Sequence, residues 1–286
     1  MISHPVDLAI RQAGLGDSAR LASFLSFRSQ IHRHLDWRTA LDWLGSQPFL
    51  LAEYENELLA AYASPPDPPD FAWIRLFTAA TELSPMRVWS MFLERAMADL
   101  SGSPNVKLAA LALQSWFEEL LIRSHFSTNQ AIVVLEWESI LPPPRSLRSD
   151  AAIRSMAPAD LVAVAQVDQQ SFEPLWQNSF ESINRAFKQS ALSSVVELEG
   201  RIIGYQISTG SSISGHLARL AVLPAFQGQG IGYALVARLL SDFSRRGVWH
   251  VSVNTQSDNI ASLALYTHMG FRPNGDEFPV YLHDIK

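Results

Sequence analysis

Apolar positions fall into short alternating runs and longer runs with helical spacing, in an order that recurs in the two halves of the chain. In the second half, residues 152–154 open a strand, Pro158-Ala-Asp160 marks a helix start, and residues 161–167 supply that helix's apolar face. Residues 194–198 and 201–207 read as strands joined at a Glu199-Gly200 hairpin turn, and residues 215–222 form the next strand. Helices are predicted over 231–245 and 260–268, with strands over 248–254 and 278–283. This order of strand, helices, three strands, helix, strand, helix and strand predicts a mixed α/β fold.

The halves also match residue by residue. Ile10, Arg11 and Asp17 recur as Ile153, Arg154 and Asp160; Arg75-Leu76 recurs as Arg219-Leu220; Leu120 and Phe126 correspond to Leu265 and Phe271. A spacing that drifts so little indicates a duplicated domain. Leu141-Pro-Pro-Pro-Arg145 separates the copies, because successive prolines fix φ and favour an extended spacer. The expected organisation is 1–140, a linker over 141–150, and 151–286.

Composition narrows the class. The 286 residues are 48% apolar, enough for two ordinary cores, and contain no cysteine, which excludes disulfides and thiolate chemistry. No run has the length of a membrane helix, and Met1-Ile-Ser-His-Pro-Val-Asp lacks the form of a signal peptide, so a soluble cytoplasmic protein is expected. With 22 basic against 28 acidic residues, nucleic acid is an unfavourable partner and an amine a compatible one. Of the eight histidines only His32 and His34 are closely spaced; they are expected at the surface, and no metal site is expected.

The candidate chemistry lies where the strand ending at Val222 passes through Pro224 into Gln227-Gly-Gln-Gly230-Ile-Gly232-Tyr233 and then an amphipathic helix. Glycines at a helix start let backbone N–H groups converge on a phosphate. A P-loop would need Lys-Ser or Lys-Thr after its last glycine, and a dinucleotide fold would place its glycines in the first βα unit; neither applies. Gln227-x-x-Gly230-x-Gly232 after a strand resembles the coenzyme A signature of the Gcn5-related N-acetyltransferases (GNAT superfamily). Asn259, Leu265-Tyr266 and Gly270-Phe271 resemble that family's second signature.

The resemblance implies two tandem acyl-CoA N-acyltransferase folds, each a mixed, mostly antiparallel sheet flanked by helices. It implies acetyl-CoA as co-substrate, held by Leu220, Val222, Gln227, Gly228, Gln229, Gly230, Ile231, Gly232, Tyr233, Asn259 and Tyr266. The backbone of Val222, at a splay in the strand, would pair with the pantetheine arm. Asn259 is read equally as a pantetheine ligand or a helix N-cap. Tyr266 is the candidate general acid, or else a core aromatic. For the base, His216 is placed by alternation on the same face as Val222, with Glu173 as competitor. Phe172, Glu173 and Trp176, with Phe180 beyond, would wall an acceptor pocket, or the phenylalanines would be helix core.

The first half has lost both signatures: Leu83, Ser84, Met86 and Val88 replace Gln227 and the glycines, and Gln114 and Leu121 replace Asn259 and Tyr266. It is therefore a degenerate copy that packs, shapes the acceptor side or dimerises. The expected activity is acetyl transfer by direct attack of a primary amine, on a small molecule or a peptide N-terminus. The layout also resembles mycothiol synthase, which acts on an amino-sugar thiol, and a non-catalytic coenzyme A sensor is the third reading.

Overall fold

The computed structural model describes residues 7–103, 105–138, 141–143 and 151–285. Linker residues 144–150 and N-terminal residues 1–6, read above, lie outside them.

The first repeat comprises β1 (Ala9–Gln12), α1 (Ser18–Ser26), β2 (Ile31–Arg33), β3 (Phe49–Tyr54), β4 (Glu57–Ala63), β5 (Phe71–Trp73), β6 (Leu76–Ala79), α2 (Pro85–Leu100), β7 (Lys107–Leu111), α3 (Ser115–Arg123) and β8 (Ser127–Glu138). The second comprises β9 (Ala151–Ser155), α4 (Leu161–Ser171), α5 (Phe180–Gln189), β10 (Leu192–Leu198), β11 (Arg201–Gly210), β12 (Gly215–Val222), α6 (Ile231–Arg245), β13 (His250–Gln256), α7 (Ile260–His268) and β14 (Arg272–Asp284). The mixed α/β order read from the sequence is observed; the repeats share most of their elements in order, but the first has strand β2 where the second has helix α5, and two short strands, β5 and β6, where the second has β12.

The chain folds into two compact units, 1–129 with 279–286, and 130–278. In the first unit the antiparallel order is β1-β3-β4-β6-β2, and β7 pairs with β5 and with residues 280–284 of β14. Its core holds Tyr62, Phe77, Trp89, Phe92 and Phe117. In the second unit β9, β10, β11 and β12 are antiparallel neighbours; β13 joins β12 in parallel and takes residues 132–138 of β8 on its other edge. Leu217, Val236, Leu240, Phe243, Val251 and Phe271 centre that core.

The recurring Arg and Asp positions are explained by one device used twice. Arg11 makes a two-pronged bond to Asp17 (2.6 and 2.8 Å) and reaches Glu53 through Nε (3.1 Å). Arg154 does the same with Asp160 (2.6 and 2.8 Å) and Glu197 (2.8 Å). Each aspartate also accepts a backbone N–H at the helix entrance, from Gly14 or Ala157. The first strand, the entrance to the first helix and the antiparallel neighbour of the first strand (β3 or β10) are thus locked together in each unit.

His32 and His34 depart from expectation. His32 is buried, its Nε2 bonded to the Ile74 carbonyl (2.9 Å) and its ring stacked on Phe117, and His34 stacks on Trp73. The apolar partners come from other elements, so local sequence gave no sign of the burial.

Candidate active site

After β12 the chain turns through Gly228 and Gly230 before α6 begins at Ile231. These glycines hold φ of +73° and +82°, a left-handed conformation costly for any side chain, and a Cβ on either would meet nothing within 4 Å. The turn therefore presents bare backbone to open space. The first helical bond runs from Ala234 N–H to Gly230 C=O (3.0 Å), so the amides of Ile231, Gly232 and Tyr233 precede the ladder at the positive end of the helix. Such a helix start suits a diphosphate.

β12 and β13 pair only at Gly215–Val251, His216–Ser252 and Leu217–Val253, then part, although each continues further. Leu223 N–H donates to the Ile203 carbonyl (2.9 Å), so Val222, one residue earlier, turns its own N–H and C=O away from β11 and into the gap. Its carbonyl accepts from Gln227 Nε2 (3.0 Å) and Ser171 Oγ (3.2 Å). A cavity of about 880 Å³ follows this gap from the glycine turn to the segment between α4 and α5.

The cavity brings together most of the residues singled out from sequence. Leu220, Val222, Gln227, Gly228, Gly230, Ile231, Gly232, Tyr233 and Asn259 line one part; Phe172, Glu173 and Trp176 line the other. Gln229, His216 and Tyr266 are not among the lining residues. Asn259 caps α7, its Oδ1 accepting from Ser262 N–H (3.1 Å). Tyr266 is buried against Phe271, and burial pushes its phenol well above the usual value. Phe180 begins α5 and is 48% exposed, so it is neither core nor cavity wall.

His216 is displaced by a bulge. The β11–β12 register slips between Ile207 and Ser208, leaving Ala218 as an extra residue and reversing the alternation. His216, opposite Thr209, thereby shares a face with Arg219 and Ala221 and not with Val222, contrary to the simple strand count. Its Nδ1 meets Ser252 Oγ at 2.9 Å, and burial lowers its pKa despite that contact.

Sequence reasoning missed the device that orders the α4–α5 segment. Asp168, fully buried on α4, accepts from Arg219 Nε (2.7 Å) and Nη2 (2.9 Å), from Asn178 N–H (2.7 Å) and from the Tyr205 hydroxyl. Arg219 also donates to the Trp176 carbonyl (2.6 Å) and stacks on Phe172. Burial opposes the guanidinium's charge, but Asp168 holds it and raises its pKa. The only local signal was the recurrence of Arg75 as Arg219. Arg75 bonds Asp36 (2.7 Å) and lies over Trp43 in the first unit, the same anchor with different partners.

A parallel-strand splay beside a glycine-started helix, in a fold of this order, defines a coenzyme A-dependent acyltransferase architecture. The sequence profile of the acetyltransferase (GNAT) family matches residues 161–271. The chain is 27% identical over 119 residues to the ribosomal protein bS18-alanine N-acetyltransferase of Escherichia coli K12, covering 42% of this chain and 79% of the relative. It is 40% identical over 60 residues to a mycothiol acetyltransferase of Beutenbergia cavernae, 21% of this chain and 20% of that one. A tandem GNAT protein from the clavulanic acid biosynthesis pathway superposes with a TM-score of 0.67 at 12% identity, over 98% of this chain and 99% of that one. Residues 161–271 form a domain of the acetyltransferase (GNAT) family, and the chain is an acyltransferase with the fold of tandem GNAT proteins.

Proposed function

We propose that the second repeat transfers acetyl from acetyl-CoA to a primary amine, of a small molecule or a peptide N-terminus. The observation that carries this reading is one continuous cavity joining the Gly228–Gly230 helix start to Glu173 and Trp176. The residues fit the co-substrate: the bare turn at Gly228–Gly230 and the amides of 231–233, which precede the helical ladder, suit its diphosphate, and the Val222 main chain faces the gap where an amide-bearing arm would add to β12. Acetyl-CoA supplies a thioester activated toward attack.

The protein's own groups then have separable roles. Val222 N–H polarises the acetyl oxygen, a donor set in place before reaction. Glu173, exposed at the acceptor end, draws the ammonium and takes its proton through water. Tyr266, buried beside the cavity and not on its lining, is assigned the proton for the departing thiolate from its place in the second signature, and burial keeps it protonated. The backbone splay positions both reactants together.

The first repeat is read as lacking coenzyme A. Ser84 stands at the N-cap of α2, and Pro85 at its first turn removes a donor where a cradle needs one. Residues 1–140 and 151–286 are accordingly read as degenerate and catalytic copies. Among the described residues no helix is long and apolar enough to cross a membrane, and we place the reaction in the cytoplasm.

The test is free-thiol release from acetyl-CoA across a panel of primary amines, N-terminal peptides and an amino-sugar thiol, the last because a mycothiol acetyltransferase is among the relatives. Turnover of any amine supports transfer. Silence across the panel with tight acetyl-CoA binding would leave a sensor.

A further inference from the structure

The acceptor end of the cavity is crossed by a hydrogen-bonded bar. Trp176 Nε1–H donates to Gln130 Oε1 (2.9 Å), and Gln130 Nε2–H donates to Asp258 Oδ2 (3.0 Å). All three residues line the cavity. One glutamine amide, using its acceptor on one wall and its donor on the other, therefore joins the α4–α5 segment to the turn before α7. Gln130 lies on β8, the strand that follows α3 as β14 follows α7, so by sequence it belongs to the first repeat. In space residues 130–138 belong to the second unit.

We propose that Gln130 is a positioning residue through which the first repeat sets the acceptor preference of the second; this rests on the acetyltransfer reading above. The bar fixes the indole of Trp176 and limits how wide an acceptor can be beside Glu173 and Asp258. The described lining residues include these two carboxylates and no lysine or arginine. The acceptor is thus a cation carried on a narrow segment, and acidic or branched amines are disfavoured. The bar touches none of residues 228–233, read above as the diphosphate site, so acetyl-CoA affinity is expected to change little when it is removed.

In the full-length chain, Gln130→Ala removes both bonds of the bar and is expected to raise the KM of the amine best used by the wild type about tenfold, the net size of a typical hydrogen-bonded link. kcat should change less than about twofold, bulkier amines should gain relative to it, and acetyl-CoA affinity by calorimetry should stay unchanged. Gln130→Glu keeps the acceptor for Trp176 but loses the donor to Asp258, and should fall between. Unaltered KM and amine ranking in Gln130→Ala would overturn the proposal.

A second measurement needs no turnover. The Trp176 indole N–H resonance, assigned with Trp176→Phe, should shift and exchange faster with solvent in Gln130→Ala; an unmoved resonance would overturn the bar itself. A wild type inactive on every amine would strike the acetyltransfer reading, while the indole result still decides whether Gln130 holds Trp176.

Discussion

The Arg219 guanidinium carbon lies 3.5 Å from the centroid of the Phe172 ring, while the edge of the same group is clamped by Asp168. A flat cation thus ties the acceptor-side segment to β12, three residues before Val222.

Replacing Arg219 by Lys keeps the charge but loses the two-pronged grip and the stacking. Asp168, with no exposed surface, is left short of donors, at a cost of about 2–3 kcal/mol in unfolding free energy. Acceptor KM should rise with acetyl-CoA affinity nearly intact. Equal losses of both would indicate collapse of the whole site.

Gly230→Ala forces a Cβ onto a residue at φ +82° and into the open side of the cradle, and Gly230→Glu adds negative charge there. Calorimetric titration with acetyl-CoA should show at least about a hundredfold weaker binding for the glutamate variant, since strain and charge act together. Wild-type affinity would rule the turn out as the diphosphate site.

Glu173 and His216 give opposite expectations. Glu173→Gln should lower kcat/KM about a hundredfold, within the range of a lost proton acceptor. His216→Gln should change it by less than about twofold from pH 7 to 9, because the bulge at Ala218 turns the imidazole away from Val222. A pH–rate profile that loses its acidic limb in His216→Gln would restore histidine as the base.

Tyr266→Phe removes a hydroxyl from a buried ring and keeps its packing on Phe271. We expect kcat to fall at least about tenfold with acetyl-CoA binding unchanged, and no loss of wild-type rate below pH 10 from Tyr266 ionisation, since its pKa is raised. An unaltered kcat would remove it as the proton donor.

Burial pushes the His32 imidazole down to about 4, against 6.5 when exposed. Between those values the unfolded chain binds the extra proton, so stability is full above about pH 6.5 and falls as pH drops toward 4. The loss from this residue is of order 1–3 kcal/mol. Urea midpoints at pH 7 and 4.5 should differ less in His32→Gln than in wild type; an identical difference would show that His32 does not titrate in this window.

Much of the fold was legible because its signals are local. Arg11 and Arg154 recur with their aspartates because each pair closes a short turn, and Gly228 and Gly230 stand out because only their backbone freedom permits that turn. What stayed hidden depends on distant neighbours. The Arg219–Asp168 pair spans 51 residues, and Gln130 reaches Asp258 across 128. The slip at Ala218 leaves no mark in composition, yet one extra residue reversed the facing of His216. His32 looked exposed because Phe117, which covers it, is contributed by a later helix.

The exchange of closing strands has a corollary. Deleting the first repeat would strip β13 of the partner along residues 132–138 and bare its sheet edge, an invitation to aggregation. Trimming the tail would do likewise to β7, which rests on residues 280–284. A chain doubled in this manner is hard to halve again, because each repeat supplies a strand that closes a sheet built largely from the other.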